Sequence, residues 1–280
     1  MAEVLLVVDS DDTGGAMLGA AFRRHGWRVR VLDLRFGRPT LDGSQAVPVV
    51  RVDGAPVAPD VVVNRTDTNR LGLPPASVHA RQIATTWLAR HLAAREEQGL
   101  LLACLDLWDR TSRLYNPLAA VDRVLLHRAV EADMRAKGLP IAPRPRSRST
   151  AERTDDGRQG VCWIVDGTLL APSARPAGEE WKPVELSPAT GESLRRIADL
   201  AGLRLGRIDL WQPKTGPTVV TGWHPIPPFR DFWERTGTDV AALVVAAIVG
   251  EEPARAPDFL VTDFEAGILD IQARSATGRL

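Results

Sequence analysis

The run Glu3–Val8 (EVLLVV) constrains the fold more than any other stretch of the chain. It is short, β-branched and apolar without alternation, which predicts a strand buried on both faces, as in parallel sheets. Residues 9–15 (DSDDTGG) follow as a turn with acidic residues suited to capping a helix. Residues 16–25 then read as a helix that Gly26 ends, and residues 27–32 (WRVRVL) as the next strand. Strand, helix and strand in that order form a parallel pair joined by a right-handed crossover. Residues 61–63 are a further buried strand that delivers Asn64, Arg65, Thr66 and Asp67 at its carboxyl end. Residues 49–52 and 55–57, split by Asp53–Gly54, predict a small hairpin, and Pro48 and Pro56 place it at a sheet edge.

Residues 78–98 carry helical spacing, with Ile83, Trp87, Leu88 and Leu92 on one stripe, and the apolar run 100–105 reads as a strand. After Tyr115–Asn116–Pro117, residues 119–137 read as a long helix ended by Gly138, and prolines extend residues 139–143. Residues 144–160 are polar, charged and rich in Arg, Ser, Asp and Gly, which predicts a mobile loop. Residues 161–165 and 168–171 predict a hairpin about Asp166–Gly167. Ser187 and Pro188 start a helix that runs to Ala201 and ends at Gly202. Residues 205–210 and 218–221 form a second hairpin about 214–216, residues 240–249 form an apolar helix, and 259–261 with 267–271 suit an edge strand. The organisation expected is an α/β layer with an open parallel sheet over 1–113, then an α+β layer with an antiparallel sheet over 114–280.

Composition narrows the function. Lys and Arg total 35 and Asp and Glu total 35, so no net field draws the chain to nucleic acid or an anionic membrane. The basic run 144–148 fits a flexible connection rather than a nucleic-acid patch. Cys104 and Cys162 stand apart among apolar neighbours, outside any CxxC pattern, and read as buried thiols. The N-terminal run lacks a basic flank and is too short for a signal peptide, and no stretch approaches the roughly 20 apolar residues of a membrane span. A cytoplasmic protein is expected. Ser10 and Ser112 have no adjacent His for a hydrolase triad, and neither GxGxxG nor a P-loop occurs. Trp223 and Trp233 either stack on a ligand or pack a core.

Several passages, taken in order, carry a resemblance. They are Val63–Asn64–Arg65 after a strand, 80–92 (ARQIATTWLARHL), 115–120 (YNPLAA), then a helix and 138–143 (GLPIAP). Glu180–Trp181–Lys182, 203–210 (LRLGRIDL), 222–229 (GWHPIPPF) and 236–241 (TGTDVA) follow. Their order and spacing resemble the ATP-grasp family of carboxylate–amine ligases, in particular the graspetide or microviridin type that cross-links ribosomal peptides. The resemblance implies a pre-ATP-grasp α/β domain followed by an ATP-grasp domain. It also implies a chemistry in which ATP phosphorylates a carboxylate and an amine or hydroxyl then attacks the acyl phosphate.

That chemistry needs Mg²⁺ on hard oxygen ligands and cations on the phosphates. The family takes its metal ligands from an Asp on one strand and a Glu and an Asn on the next. At the matching positions this chain has Asp209, Gly222 and His224. Asp209 is either a metal ligand and catalytic group or a hydrogen-bonded sheet residue. His224 is either its partner in chemistry or a packed ring beside Trp223. The family's lid subdomain is missing, since only residues 144–160 stand in its place. The phosphate lysine after Asn-Pro has no counterpart, leaving Arg123 and Arg128 as nucleotide-binding candidates. Candidates for the peptide-handling surface are Arg65, Asp67, Arg70, Lys182 and Arg230.

Three readings follow. The first is a degenerate ATP-grasp-like protein without a cofactor that binds a peptide or a protein partner, including a complete ligase. The second is an enzyme of altered chemistry using Asp209 and His224. The third is an ATP- and Mg²⁺-dependent ligase completed by another chain. The apolar helix 240–249 is suited to a homodimer.

Overall fold

A computed structural model describes residues 1–9, 12–37, 39–43, 48–66, 87–117, 127–142, 157–176, 179–214 and 217–251. Asp67, Arg70, Arg123, the lid position within 144–156 and both expected tail strands lie outside these residues. The described residues form two compact units, one within Met1–Asp122 and one within Arg123–Ala256.

In the first unit, β1 (Glu3–Val8), α1 (Thr13–Arg24) and β2 (Arg28–Asp33) make the expected strand–helix–strand element. Strands β3 (Pro39–Asp42), β4 (Val49–Val52), β5 (Ala55–Pro56), β6 (Val61–Asn64), helix α2 (Trp87–Thr111) and β7 (Arg113–Tyr115) follow. The main sheet has the order β2-β1-β6-β7 and is parallel throughout. Residues Val4 to Val7 of β1 are fully buried, as a central parallel strand requires. On one face Leu5, Val7, Val62 and Leu114 pack with Leu101, Cys104, Leu105 and Trp108 of α2. Two expectations fail here. The run 100–105 is helical, part of α2, and shows one face of that helix to the core. The Asp53–Gly54 hairpin forms within a separate three-stranded sheet with β3, where β5 takes the expected edge but β4 is the central strand.

The chain leaves β1 for β2 on one side and returns to β6 on the other. The carboxyl ends of β1 and β6 are therefore a topological switch point, where open α/β sheets expose polar groups. A buried polar cluster sits there. Asn64 Nδ2 donates to the Asn116 carbonyl at 3.2 Å and Asn116 Nδ2 donates to the Asn64 carbonyl at 3.1 Å.

The second unit contains α3 (His127–Ala136), β8 (Arg158–Val165), β9 (Thr168–Pro176), β10 (Lys182–Pro183), α4 (Pro188–Ala201), β11 (Leu205–Gln212), β12 (Val219–His224), α5 (Phe229–Thr236) and α6 (Val240–Val249). Its sheet is antiparallel, in the order β10-β9-β8-β11-β12. The loop expected to end at residue 160 ends earlier, because Arg158–Gly160 already pair with Ala174–Pro176 in β8 and β9. Alternation along the strands makes two faces. Cys162, Ile164, Ile208, Leu210, Val220 and Trp223 pack against α4 and Met134 of α3. On the other face Trp163 stacks with Phe229 of α5 at 5.0 Å, and α6 contacts β8 and β9. The apolar residues of α6 are thus mostly buried within the unit. Residues 139–142 cover the free edge of β12, where the Ala142 N–H donates to the Val220 carbonyl at 2.8 Å.

Ala171 sits in β9 at φ +43, a left-handed conformation that crowds its Cβ. That costs about 1–2 kcal/mol, against about 0.4–1 kcal/mol for the extra unfolded-chain freedom of glycine. Ala171→Gly therefore raises stability by about 0.5 kcal/mol, read as a higher Tm by calorimetry. A lower Tm contradicts it.

Candidate functional site

Asp209 lies on β11 with its alternation partner Arg207, on the face opposite the core residues Ile208 and Leu210. Across the ladder Arg207 pairs with His224 and Asp209 pairs with Gly222. The register slips between Asp209 and Leu210, a bulge of the kind that re-aims side chains. Two glycines let the strands and rings approach. A Cβ on Gly206 would lie 2.8 Å from the His224 carbonyl, so β12 closes on β11 only because residue 206 has none. Gly222 carries no side chain to stand between His224 and Asp209, so the imidazole crosses over it diagonally.

The result is one carboxylate between two nitrogen bases. His224 Nε2 lies 2.8 Å from Asp209 Oδ2. Arg207 Nε donates to Asp209 Oδ1 at 2.8 Å, and its Nη2 donates to Oδ2 at 3.3 Å. Burial raises the Asp209 pKa, but the His224 hydrogen bond and the Arg207 charge outweigh it, and the net shift is downward. An aspartate depressed in the fold adds stability above its unfolded pKa of about 3.9 and loses it as pH falls through the folded value. Asp209→Asn is therefore less stable than the parent at pH 7, and the gap narrows at pH 3, by urea unfolding. A constant gap contradicts this.

The other expected residues are dispersed. Arg65 is 3% exposed in the first unit and donates to both oxygens of Asp12. Lys182 is exposed on β10, opposite Ala174. Arg230 on α5 is exposed and donates to Glu234 Oε1 at 2.6 Å. Arg128 is exposed on α3. Trp223 is 3% exposed and belongs to the core, whereas Trp233 is half-buried. Beside Lys182, Trp181 receives the Arg175 guanidinium over its ring at 4.9 Å. Both cysteines are buried, and burial pushes their thiols up to about 12, so neither is a nucleophile. Arg207 was missed in the sequence reading, and its signal was there, two positions before Asp209 on an alternating strand. Among the described residues no group of three or more His, Cys, Asp or Glu is placed to hold a metal ion, and no helix is long and apolar enough to cross a membrane.

No family model matches the chain, and no curated protein is similar to it by sequence. Solved structures are similar. The ATP-grasp ligase PsnB, complexed with a phosphomimetic variant of its minimal precursor, Mg and ADP, aligns at a TM-score of 0.71. It is 22% identical, over 89% of this chain and 98% of PsnB. The macrocyclase MdnC from Microcystis aeruginosa MRC, bound with precursor peptide MdnA, aligns at 0.67 with 14% identity, over 89% of this chain and all of MdnC (100%). A Chryseobacterium gregarium RiPP-associated ATP-grasp ligase with ADP and a leader and core peptide aligns at 0.65 with 10% identity, over 93% and 100%. The likeness spans both units and nearly the whole length of each neighbour, and the chain has the fold of the ATP-grasp ligases.

Proposed function

We propose that this protein handles a peptide during the modification of a ribosomal peptide natural product, and that its Asp209 centre does not work through magnesium and nucleotide. The peptide part of the reading is supported by the neighbours, since PsnB, MdnC and the C. gregarium ligase are each seen with a precursor or leader peptide. Asp67, Arg70, Lys182 and Arg230 are the candidates for contacting it, whereas Arg65 is held on Asp12.

The observation that carries the second part is the state of Asp209. Magnesium demands an octahedron of hard oxygens, with carboxylates to offset its charge. Among the described residues of these strands Asp209 is the single carboxylate, and both of its oxygens already engage Arg207 and His224. A dication there would face a guanidinium, and an imidazole ring would replace oxygen, a poor exchange for magnesium. Position 222 offers no donor side chain. These residues do not fit the ion. Arg123 and Arg128 are nucleotide contacts only on the ligase reading. A second reading has one observation behind it. The 2.8 Å contact between Asp209 and His224 suits acid–base chemistry that needs no nucleotide.

The reading is tested by restoring what is missing. A Cβ at Gly222 would meet His224 Nε2 at 3.6 Å and Asp209 Oδ2 at 3.9 Å, so a side chain fits there once the imidazole is shortened. With Mn²⁺ as a paramagnetic surrogate, resonance spectra should record no bound ion in the parent and one in Gly222→Glu/His224→Asn. Tight ion binding by the parent sinks the proposal.

A further inference from the structure

The first unit carries a cleft of about 620 Å³, within the roughly 300–1,000 Å³ of small-molecule sites. Three segments wall it: residues 48–50 at the start of β4, residues 57–60 before β6, and the end of α2 with the turn into β7. Its two sides differ in kind. Val49, Val50, Val57 and Pro59 make one side apolar, and Leu107 and Trp108 continue it across the end of α2. Val50, Val57 and Trp108 are 2%, 6% and 2% exposed and belong to the core of the unit, so this side has the fixed shape of close packing.

The other side offers donors in excess. Arg110 gives Nη2 to Asp106, an exposed pair one helical turn apart of the kind that holds a side chain loosely, and its Nε and Nη1 have no partner among the described residues. The Ser112 N–H donates to the Trp108 carbonyl, whereas the Ser112 hydroxyl has no partner among the described residues. The indole N–H of Trp108 is buried with no acceptor among them either. Arg113 brings a second cation, with its guanidinium 5.3 Å from the centre of the Tyr115 ring. Asp60 is the one acid among the lining residues, and its Oδ2 already accepts the Glu3 N–H at 2.8 Å. Two cations against one engaged carboxylate, beside an apolar wall, suit an anion with an apolar body.

We infer that this cleft binds a small apolar monocarboxylate, with its hydrocarbon body against Val50, Val57 and Trp108 and its carboxylate on Arg110 and the Ser112 hydroxyl. Arg110 turns to the ligand at the loss of a surface pair only. A cationic ligand would meet two guanidiniums, and an inorganic anion would leave the apolar wall unused. The inference is independent of the reading of Asp209.

Nuclear magnetic resonance of the full chain tests this through the indole N–H signal of Trp108, assigned by its loss in Trp108→Phe. The probes are octanoate, octanol as the neutral control and octylammonium as the reversed charge. Octanoate should move the signal saturably, and octanol should bind roughly tenfold more weakly, the worth of a charge-assisted hydrogen bond. Arg110→Gln should weaken octanoate binding by about the same factor and leave octanol binding unchanged, a split that a general loosening of the fold would not produce. Ala58→Phe, at an exposed position on the rim, should fill the cleft and abolish both. If Trp108→Phe loses its folded amide spectrum, isothermal titration of the parent and of Ala58→Phe with the same probes decides the matter. Silence with millimolar octanoate, octanol or octylammonium binding as tightly as octanoate, or unchanged octanoate affinity in Arg110→Gln or Ala58→Phe overturns the inference.

Discussion

Trp163→Ala should lower the unfolding free energy by about 3–5 kcal/mol, the range for removing a large aromatic from a core. Trp163 is fully buried on β8, the central strand of the antiparallel sheet. It stacks on Phe229 at 5.0 Å with planes 23° apart, and meets Phe232 edge-on at 5.8 Å. Phe232 in turn contacts Trp181 at 6.0 Å. One ring thus ties the sheet to α5 and to the segment before β10, and the cavity left by alanine would be lined by other rings that cannot collapse into it without moving the helix. The indole N–H is buried with no acceptor among the described residues, so its hydrogen bond is not what is lost. Trp163→Phe should therefore cost clearly less than alanine. Urea unfolding measures both, as a fall in midpoint at constant slope. A loss below about 1 kcal/mol, the scale of an ordinary surface change, would mean that the aromatic cluster is not the anchor of this face.

The second large effect is expected at the other unit. Arg65→Ala should cost about 3 kcal/mol, the lower end for breaking a buried ion pair. Arg65 Nε and Nη2 meet Asp12 Oδ2 and Oδ1 at 2.5 and 2.8 Å, with side chains 2% and 14% exposed. Asp12 Oδ1 also accepts from the Gly14 N–H and so caps α1. Removing the guanidinium leaves a carboxylate short of water and of charge, relieved only by the helix N-terminus. Arg65→Lys keeps the charge and loses the two-pronged geometry, and should recover part of the loss. Chemical denaturation decides it. Near-zero cost would free Arg65 for the peptide-contacting role that the sequence suggested.

The parts of the fold that were legible in the sequence share a cause, which is that local chemistry decides them. Asp53–Gly54 and Asp166–Gly167 take positive φ at both positions, as two-residue hairpin turns demand. Ser187, Pro188 and Gly202 bound α4 as cap, first-turn proline and left-handed end. The parts that were not legible depend on distant contacts. A short apolar run such as 100–105 looks alike in a buried strand and a buried helix. The discriminating signal was the spacing of Leu101, Cys104, Leu105 and Trp108, all on one helical face. Pro56 rightly put β5 at an edge, but β4, which follows Pro48, is the central strand of its small sheet, and nothing local says which sheet a hairpin joins. At the site, Asp209 and His224 were legible as residue types through the resemblance. Their pairing was not, because it depends on the β11–β12 register, a bulge and two glycines.

A centre in which Arg207 and His224 hold Asp209 is expected to have left magnesium–nucleotide chemistry. Isothermal titration of the purified full chain with Mg–ATP, and with a non-hydrolysable analogue, tests it most directly. No saturable heat is expected up to millimolar nucleotide. Saturable binding of Mg–ATP, abolished in Asp209→Asn, would contradict it and restore this chain to the working ligases of its fold.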